Sequence, residues 1–163
     1  MKLFLGMVLC LGMISRQLQA QQPSNKHFWY QVKTSASPQN VWRVWTHVEQ
    51  WKDWDSGLKD AFMSEPFGLH ARGTLISLEG RKSKFKVVQY VEGESYTFKT
   101  SLPLGGLYVK RFWTEEEGQL VFTHEVWFRG LTGGLFAKAF GPKFRDMLPE
   151  VMEEVKRLAE ARP

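Results

Sequence analysis

The residue best placed for chemistry is a histidine in an alternating stretch. Leu120, Phe122, His124, Val126 and Phe128 fall on one face of a strand, and Val121, Thr123, Glu125, Trp127 and Arg129 on the other. An imidazole on an apolar, inward face can act as a general acid or base, or orient a ligand, near neutral pH. Packing alone also accounts for a lone core histidine, so His124 is a candidate catalytic residue and not more. Glu125 points to the opposite face and cannot chelate with it. His27, His47 and His70 sit on other elements, so no metal-ligand spacing is present and no metal is expected.

Cations are the second source of chemistry. Between 107 and 114, Tyr108, Lys110 and Phe112 alternate with Val109, Arg111 and Trp113, and the hairpin register decides which set turns inward. A pairing of Phe112 with Phe122 is expected, which places Lys110 opposite His124. Whichever of Lys110 and Arg111 points inward could bind a carboxylate or phosphate on an otherwise apolar ligand. Arg81-Lys82-x-Lys84-Phe85-Lys86 has the composition of a headgroup or nucleic-acid patch. Outward lysines at a strand start are instead expected to shield an exposed sheet edge. Gly130-Leu131-Thr132-Gly133-Gly134 lacks the spacing and the parallel context of a dinucleotide site and reads as a flexible entry to the last helix. No Ser/His/Asp arrangement follows from residue order.

Composition narrows the classes. The chain has 163 residues, enough for one domain with an ordinary core. Lys2, the apolar run Leu3 to Ile14 and the small Ala20 read as an export signal cleaved after Ala20, the run being too short to span a bilayer comfortably. Removing those 20 residues leaves 143 and takes Lys2, Arg16 and Cys10 with it, so the formal charge falls from +5 to +3. Without cysteine the exported chain has no disulfide, thiolate site or cysteine nucleophile. So small a charge does not argue for nucleic-acid binding.

These residues must be positioned by a simple succession of elements. His27 to Lys33 reads as a first strand. Ser37-Pro38 caps and opens a helix with Val41, Val44, Trp45 and Val48 along one face, and a short turn carries Trp51 and Trp54. Four tryptophans between 42 and 54 read as a plug for one end of the core. Strands are expected near 58–64, 72–79, 84–91, 95–102, 107–114 and 119–129, joined by short turns into an antiparallel meander. From 131 to 161, Phe136, Phe140, Phe144, Met147, Leu148, Val151, Val155 and Leu158 form one helical stripe. Pro142 and Pro149 predict a kink there, or a short helix followed by a long one. The sum is an α+β domain, a curved antiparallel sheet wrapped around a long C-terminal helix.

In that order, Ser37-Pro38-x-x-Val41-Trp42, Glu49-x-Trp51-x-x-Trp54-Asp55, a strand at Gly73, Glu94-x-Tyr96-x-Phe98, Leu102-Pro103 and Thr123-His124-x-Val126-x-Phe128-x-Gly130-Leu131 before the long helix resemble the polyketide cyclase/dehydrase branch of the START/Bet v1-like superfamily. The resemblance runs from about 28 to 160. It implies a helix-grip fold with a cavity between sheet and helix for lipids, sterols, polyketides or similar molecules. It carries over no catalytic set residue by residue. The expected wall is Tyr96, Phe98, Phe122, His124, Val126 and Phe128, with Tyr108, Lys110 and Phe112 from the neighbouring strand and Phe136, Phe140 and Phe144 as a lid. The expected function is binding or transport of a hydrophobic or amphipathic small molecule or lipid. The alternative is a cofactor-free cyclase or dehydratase using His124. No cofactor is expected, the protein is taken as an exported monomer, and the basic run adds peripheral contact with anionic membrane as a third possibility.

Overall fold

A computed structural model describes residues 24–162; the expected export signal, 1–20, lies outside them. β1 (His27–Thr34) is followed by α1 (Pro38–Thr46) and a 3-10 turn, α2 (Val48–Asp53). Six strands come next, β2 (Leu58–Met63), β3 (Arg72–Ser77), β4 (Lys82–Val91), β5 (Ser95–Leu102), β6 (Gly105–Glu116) and β7 (Gln119–Gly130), and then α3 (Gly133–Glu160). All seven strands form one antiparallel sheet in the order β1-β7-β6-β5-β4-β3-β2. The short turns of the sequence make each neighbour from β2 to β7 consecutive. Only β1 is out of order, and it closes the far edge beside β7.

Local chemistry accounts for the starts. The Ser37 hydroxyl accepts the Asn40 N–H at 3.2 Å, and Pro38 opens α1 where no N–H is needed. Thr132 precedes α3 without capping it; its hydroxyl donates to the Pro103 carbonyl, tying the helix entry to the β5–β6 turn. α3 runs through both prolines as one helix, so the expected division into two does not occur. The carbonyls that Pro142 and Pro149 leave without a helical partner belong to Lys138 and Arg145, both exposed, where water can replace the lost bond.

The inner face of the sheet is shared between two covers. α3 packs on β1, β7 and α1 and reaches β6, while α2 sits on β2. Trp51, carried by α2, stacks on Phe85 of β4 and tilts against Phe98 of β5, both at centroid distances of 5.5 Å. The tryptophan cluster thus fills one end of the core, as the sequence suggests: Trp45, Trp51 and Trp54 are buried and Trp42 partly so. At the other end of the chain, Glu160 accepts from the Thr34 and Ser35 hydroxyls and the Ser35 N–H at 2.8, 3.1 and 3.0 Å, fixing the end of α3 to the end of β1.

The helical stripe is placed differently from expectation in its first half. Beyond Met147 the buried residues are Leu148, Val151, Met152, Val155 and Ala159, but before it they are Gly133, Ala137 and Gly141. Phe136, Phe140 and Phe144 stack on one another along the flank, and Phe140 is 37% exposed. Small residues win this face because the helix lies directly on the backbone of Asn25, where a side chain at 141 would strike the carbonyl. Ala is better than Gly in a helix by about 1 kcal/mol, but overpacking a tight contact costs about 1–3 kcal/mol. Gly141→Ala is therefore expected to lower the urea midpoint; an unchanged or higher midpoint shows that the 24–27 segment yields freely.

Candidate functional site

The β6–β7 ladder decides what chemistry the inner face holds. It pairs Trp113 with Phe122, Arg111 with His124 and Val109 with Val126. This is one residue off the expected register, so Arg111 and not Lys110 stands opposite His124. Tyr108, Lys110 and Phe112 consequently lie on the outer face, where Tyr108 stacks on Trp127 at 5.4 Å and Lys110 sits 4.7 Å from the Phe112 ring. A one-residue step turns every side chain of a strand over; inward register exchanges the aromatic set for Leu107, Val109, Arg111 and Trp113.

Arg111 is 2% exposed. Its guanidinium lies 4.6 and 4.7 Å from the rings of Trp51 and Trp54, and 5.6 and 5.5 Å from those of Tyr96 and Phe98. One terminal nitrogen donates to the Tyr96 hydroxyl, which donates onward to the Trp45 carbonyl at 3.0 Å; the Trp51 indole N–H reaches the same carbonyl at 2.9 Å. Burial pushes the Tyr96 phenol up to about 12, against the pull of Arg111, so it remains a hydroxyl. Among the described residues no carboxylate forms an ion pair with Arg111, and its Nε is buried without a partner. The acid whose titration feels this charge is Asp55, at the end of α2. Burial raises its pKa, while the Gly57 N–H, bonded at 3.0 Å, and then Arg111 pull it back down.

His124 is 5% exposed, between Arg111 on β6 and Tyr30 on β1. Its Nδ1 has no partner. Burial first, and the Arg111 charge second, hold its pKa well below the usual value, so the ring is neutral at pH 7. The imidazole borders a pocket of about 100 Å³ between sheet and α3, lined otherwise by Leu107, Val109, Val126, Phe144, Met147, Leu148 and Val151. Of the expected wall, His124, Val126 and Phe144 meet there. Tyr96 and Phe98 are buried around Arg111, Phe122 against Trp45, and Phe128 in the core. Phe136 and Phe140 do not line the pocket.

No family model and no curated protein matches the sequence. Solved structures match the fold. Norcoclaurine synthase from Thalictrum flavum, in complex with dopamine and hydroxybenzaldehyde, is 13% identical with a TM-score of 0.64, the alignment covering 85% of this chain and 88% of that one. The di-domain ARO/CYC StfQ from the steffimycin biosynthetic pathway is 14% identical at 0.64, over 82% of this chain and 50% of that one. A hypothetical protein from Helicobacter pylori is 8% identical at 0.68, over 98% and 99%. The chain has the helix-grip, Bet v1-like fold.

The space between sheet and α3 holds the pocket, and its one polar lining residue is His124; Arg111, opposite His124 on β6, is buried beyond the lining among the aromatic rings. The alternation of β6 offers both cations, and the ladder turns Arg111 inward where Lys110 was expected. Asp55 was visible only as part of the tryptophan motif, and Leu107, Val109 and Met147 carried no signal beyond being apolar. Among the described residues there is no cluster of metal-ligating side chains.

The His124 shift makes stability depend on pH with a definite sign. A histidine whose folded pKa is lowered contributes stability that is fully present above the unfolded value, 6.5, and is lost as pH falls below it toward the folded value. Between pH 7 and pH 5 the loss is at most about 2 kcal/mol. Urea midpoints of the wild type should fall over this range more than those of His124→Asn; parallel falls would remove His124 from the balance.

Proposed function

We propose that this protein binds an amphipathic small molecule, largely apolar and carrying one anionic or strongly accepting group, in the space between the sheet and α3. The observation that carries the reading is Arg111, opposite the pocket-lining His124 on β6, a buried guanidinium that has no carboxylate partner among the described residues and an unused Nε. Buried cations are ordinarily paired, because leaving one unpaired costs several kcal/mol. Aromatic faces return part of that, about 2 kcal/mol for a desolvated contact, and an anion would return more. The neighbours support this reading in kind: one is a synthase solved with two small aromatic molecules, the other a di-domain ARO/CYC of a biosynthetic pathway. The polyketide cyclase/dehydrase branch remains the best assignment by motif order.

A pocket of about 100 Å³ holds only a few heavy atoms, whereas sites for drug-sized ligands run to about 300–1,000 Å³. The reading thus requires Phe144 and Met147 to move aside. A cofactor-free cyclase or dehydratase is the alternative use of the same cavity. It is the weaker one, because a histidine kept neutral by burial and by Arg111 can serve as a base but is a poor general acid at neutral pH. Export of the protein, cleaved near Ala20, belongs to the same reading and rests on the composition of residues 2–20.

The test uses anilinonaphthalene sulfonate, an aromatic anion, followed by its fluorescence and by tryptophan quenching. Arg111→Met should keep the fold, since a side chain of similar length replaces an unpaired charge among rings. It should weaken the probe by about 10- to 100-fold, the worth of one hydrogen bond to a charged group. Equal affinity in both proteins, with the variant folded, overturns the proposal.

A further inference from the structure

β4 lies between β3 and β5, in the interior of the sheet order, so its lysines do not shield an edge as the sequence suggested. On the outer face, away from α3, the ladders bring them into a row with other cations. Arg72 stands directly opposite Lys86, and Lys86 directly opposite Lys99. The row continues to Tyr108, with the Lys99 ammonium 5.7 Å from its ring. In the adjacent row Phe62 faces Thr74, and Thr74 faces Lys84. Arg72, Lys86, Lys99, Phe62, Thr74 and Lys84, with Ser64, Val88 and Ser101, line a groove of about 630 Å³, and Tyr108 lies beyond it.

Like charges directly opposite one another destabilise a sheet. Among the described residues none of Arg72, Lys84, Lys86 and Lys99 forms an ion pair, and no carboxylate lines the groove. Glu65 reaches Arg72 only through its backbone N–H, at 2.7 Å. Folding gains nothing from this row, and edge protection does not explain it. An anion does: strands about 4.8 Å apart set the three cations of the row at a repeat that suits several charged groups better than one. The hydroxyls of Ser64, Thr74 and Ser101 add donors, and Phe62, 44% exposed, adds an apolar contact. The volume falls in the range of small-molecule sites.

We propose that this groove is a second ligand site, for a molecule bearing two or more phosphate, sulfate or similar groups. It stands on the opposite face from the internal pocket and does not depend on it. A soluble oligophosphate and the headgroup of an anionic lipid share this chemistry, so the experiment separates them. Full-length protein is titrated calorimetrically with inorganic tripolyphosphate, and in parallel sedimented with vesicles of phosphatidylcholine containing phosphatidylglycerol. Saturable binding of tripolyphosphate identifies the soluble source; sedimentation with anionic vesicles but not with phosphatidylcholine alone identifies the lipid. The double variant Lys86→Gln/Lys99→Gln should weaken whichever is bound by about tenfold or more, while Lys110→Gln, on the same face outside the groove, should not. Without anion, Lys86→Gln should melt no lower than wild type, because it removes repulsion. The proposal is overturned if neither probe binds, if Lys110→Gln costs as much as the double variant, or if Lys86→Gln lowers the melting temperature.

Discussion

The guanidinium of Arg111 is the contact on which the inner face depends. It lies against two adjacent indoles and is bonded to Tyr96, and that hydroxyl shares the Trp45 carbonyl with the Trp51 N–H. One arginine of β6 thereby links β5 to α1 and α2 through a hydrogen-bond chain and ring contacts. Rings solvate the charge incompletely. Its field reaches outward from there: it lowers His124, holds back the rise of Asp55 and opposes that of Tyr96. Burial sets the direction of all three shifts, and the one charge then modifies each of them.

How far the sequence discloses this can be judged residue by residue. The strands and the helix were legible because turn signals at Gly80, Gly93 and Gly118 separate clean alternations, and because Ser37-Pro38 marks a helix start with its own chemistry. The inward face of β7 was legible for the same reason: only one of its faces is uniformly apolar apart from His124. β6 was not, because both of its faces combine aromatic and basic residues and the turn at Glu117-Gly118 sets the register without announcing it. The phenylalanine stripe of α3 misled for a different reason. Periodicity identifies a helix face, but which face goes inward also depends on how closely the backbone approaches, and Ala137 and Gly141 admit an approach that phenylalanine forbids.

The two faces of the sheet treat positive charge in opposite ways, and both arrangements are costly to the fold. Inside, a single cation is stripped of water and given rings. Outside, cations keep their water but are set opposite one another. Neither pattern follows from packing, since an apolar residue in place of Arg111, or a threonine in place of Lys86, would suit its neighbours as well or better. Departures from local consistency of this kind tend to mark function, and at both places it is the charge, more than the shape of the cavity, that departs.

Which wall of the internal pocket can yield follows from what holds each wall. The sheet side is fixed by the unbroken pairing of β6 with β7 from Gly105 to Glu116. The far half of α3 is fixed by Leu148, Val151, Met152, Val155 and Ala159, none more than 5% exposed, and by the Glu160 clamp on β1. The near half rests on the Asn25 backbone at Gly141, with Arg145 bonded to the Asn25 side chain at 2.9 Å. Phe144 and Met147 remain, both partly exposed, and Met147 is unbranched and lies beside Gly57. Entry past Met147 would bring a ligand in beside Asp55 and Gly57 toward His124. Asp55, whose pKa burial raises, lies on the Gly57 side of that route, and the guanidinium of Arg111 lies beyond His124 on the neighbouring strand. That polarity favours an anionic group that leads the ligand inward over one that trails it.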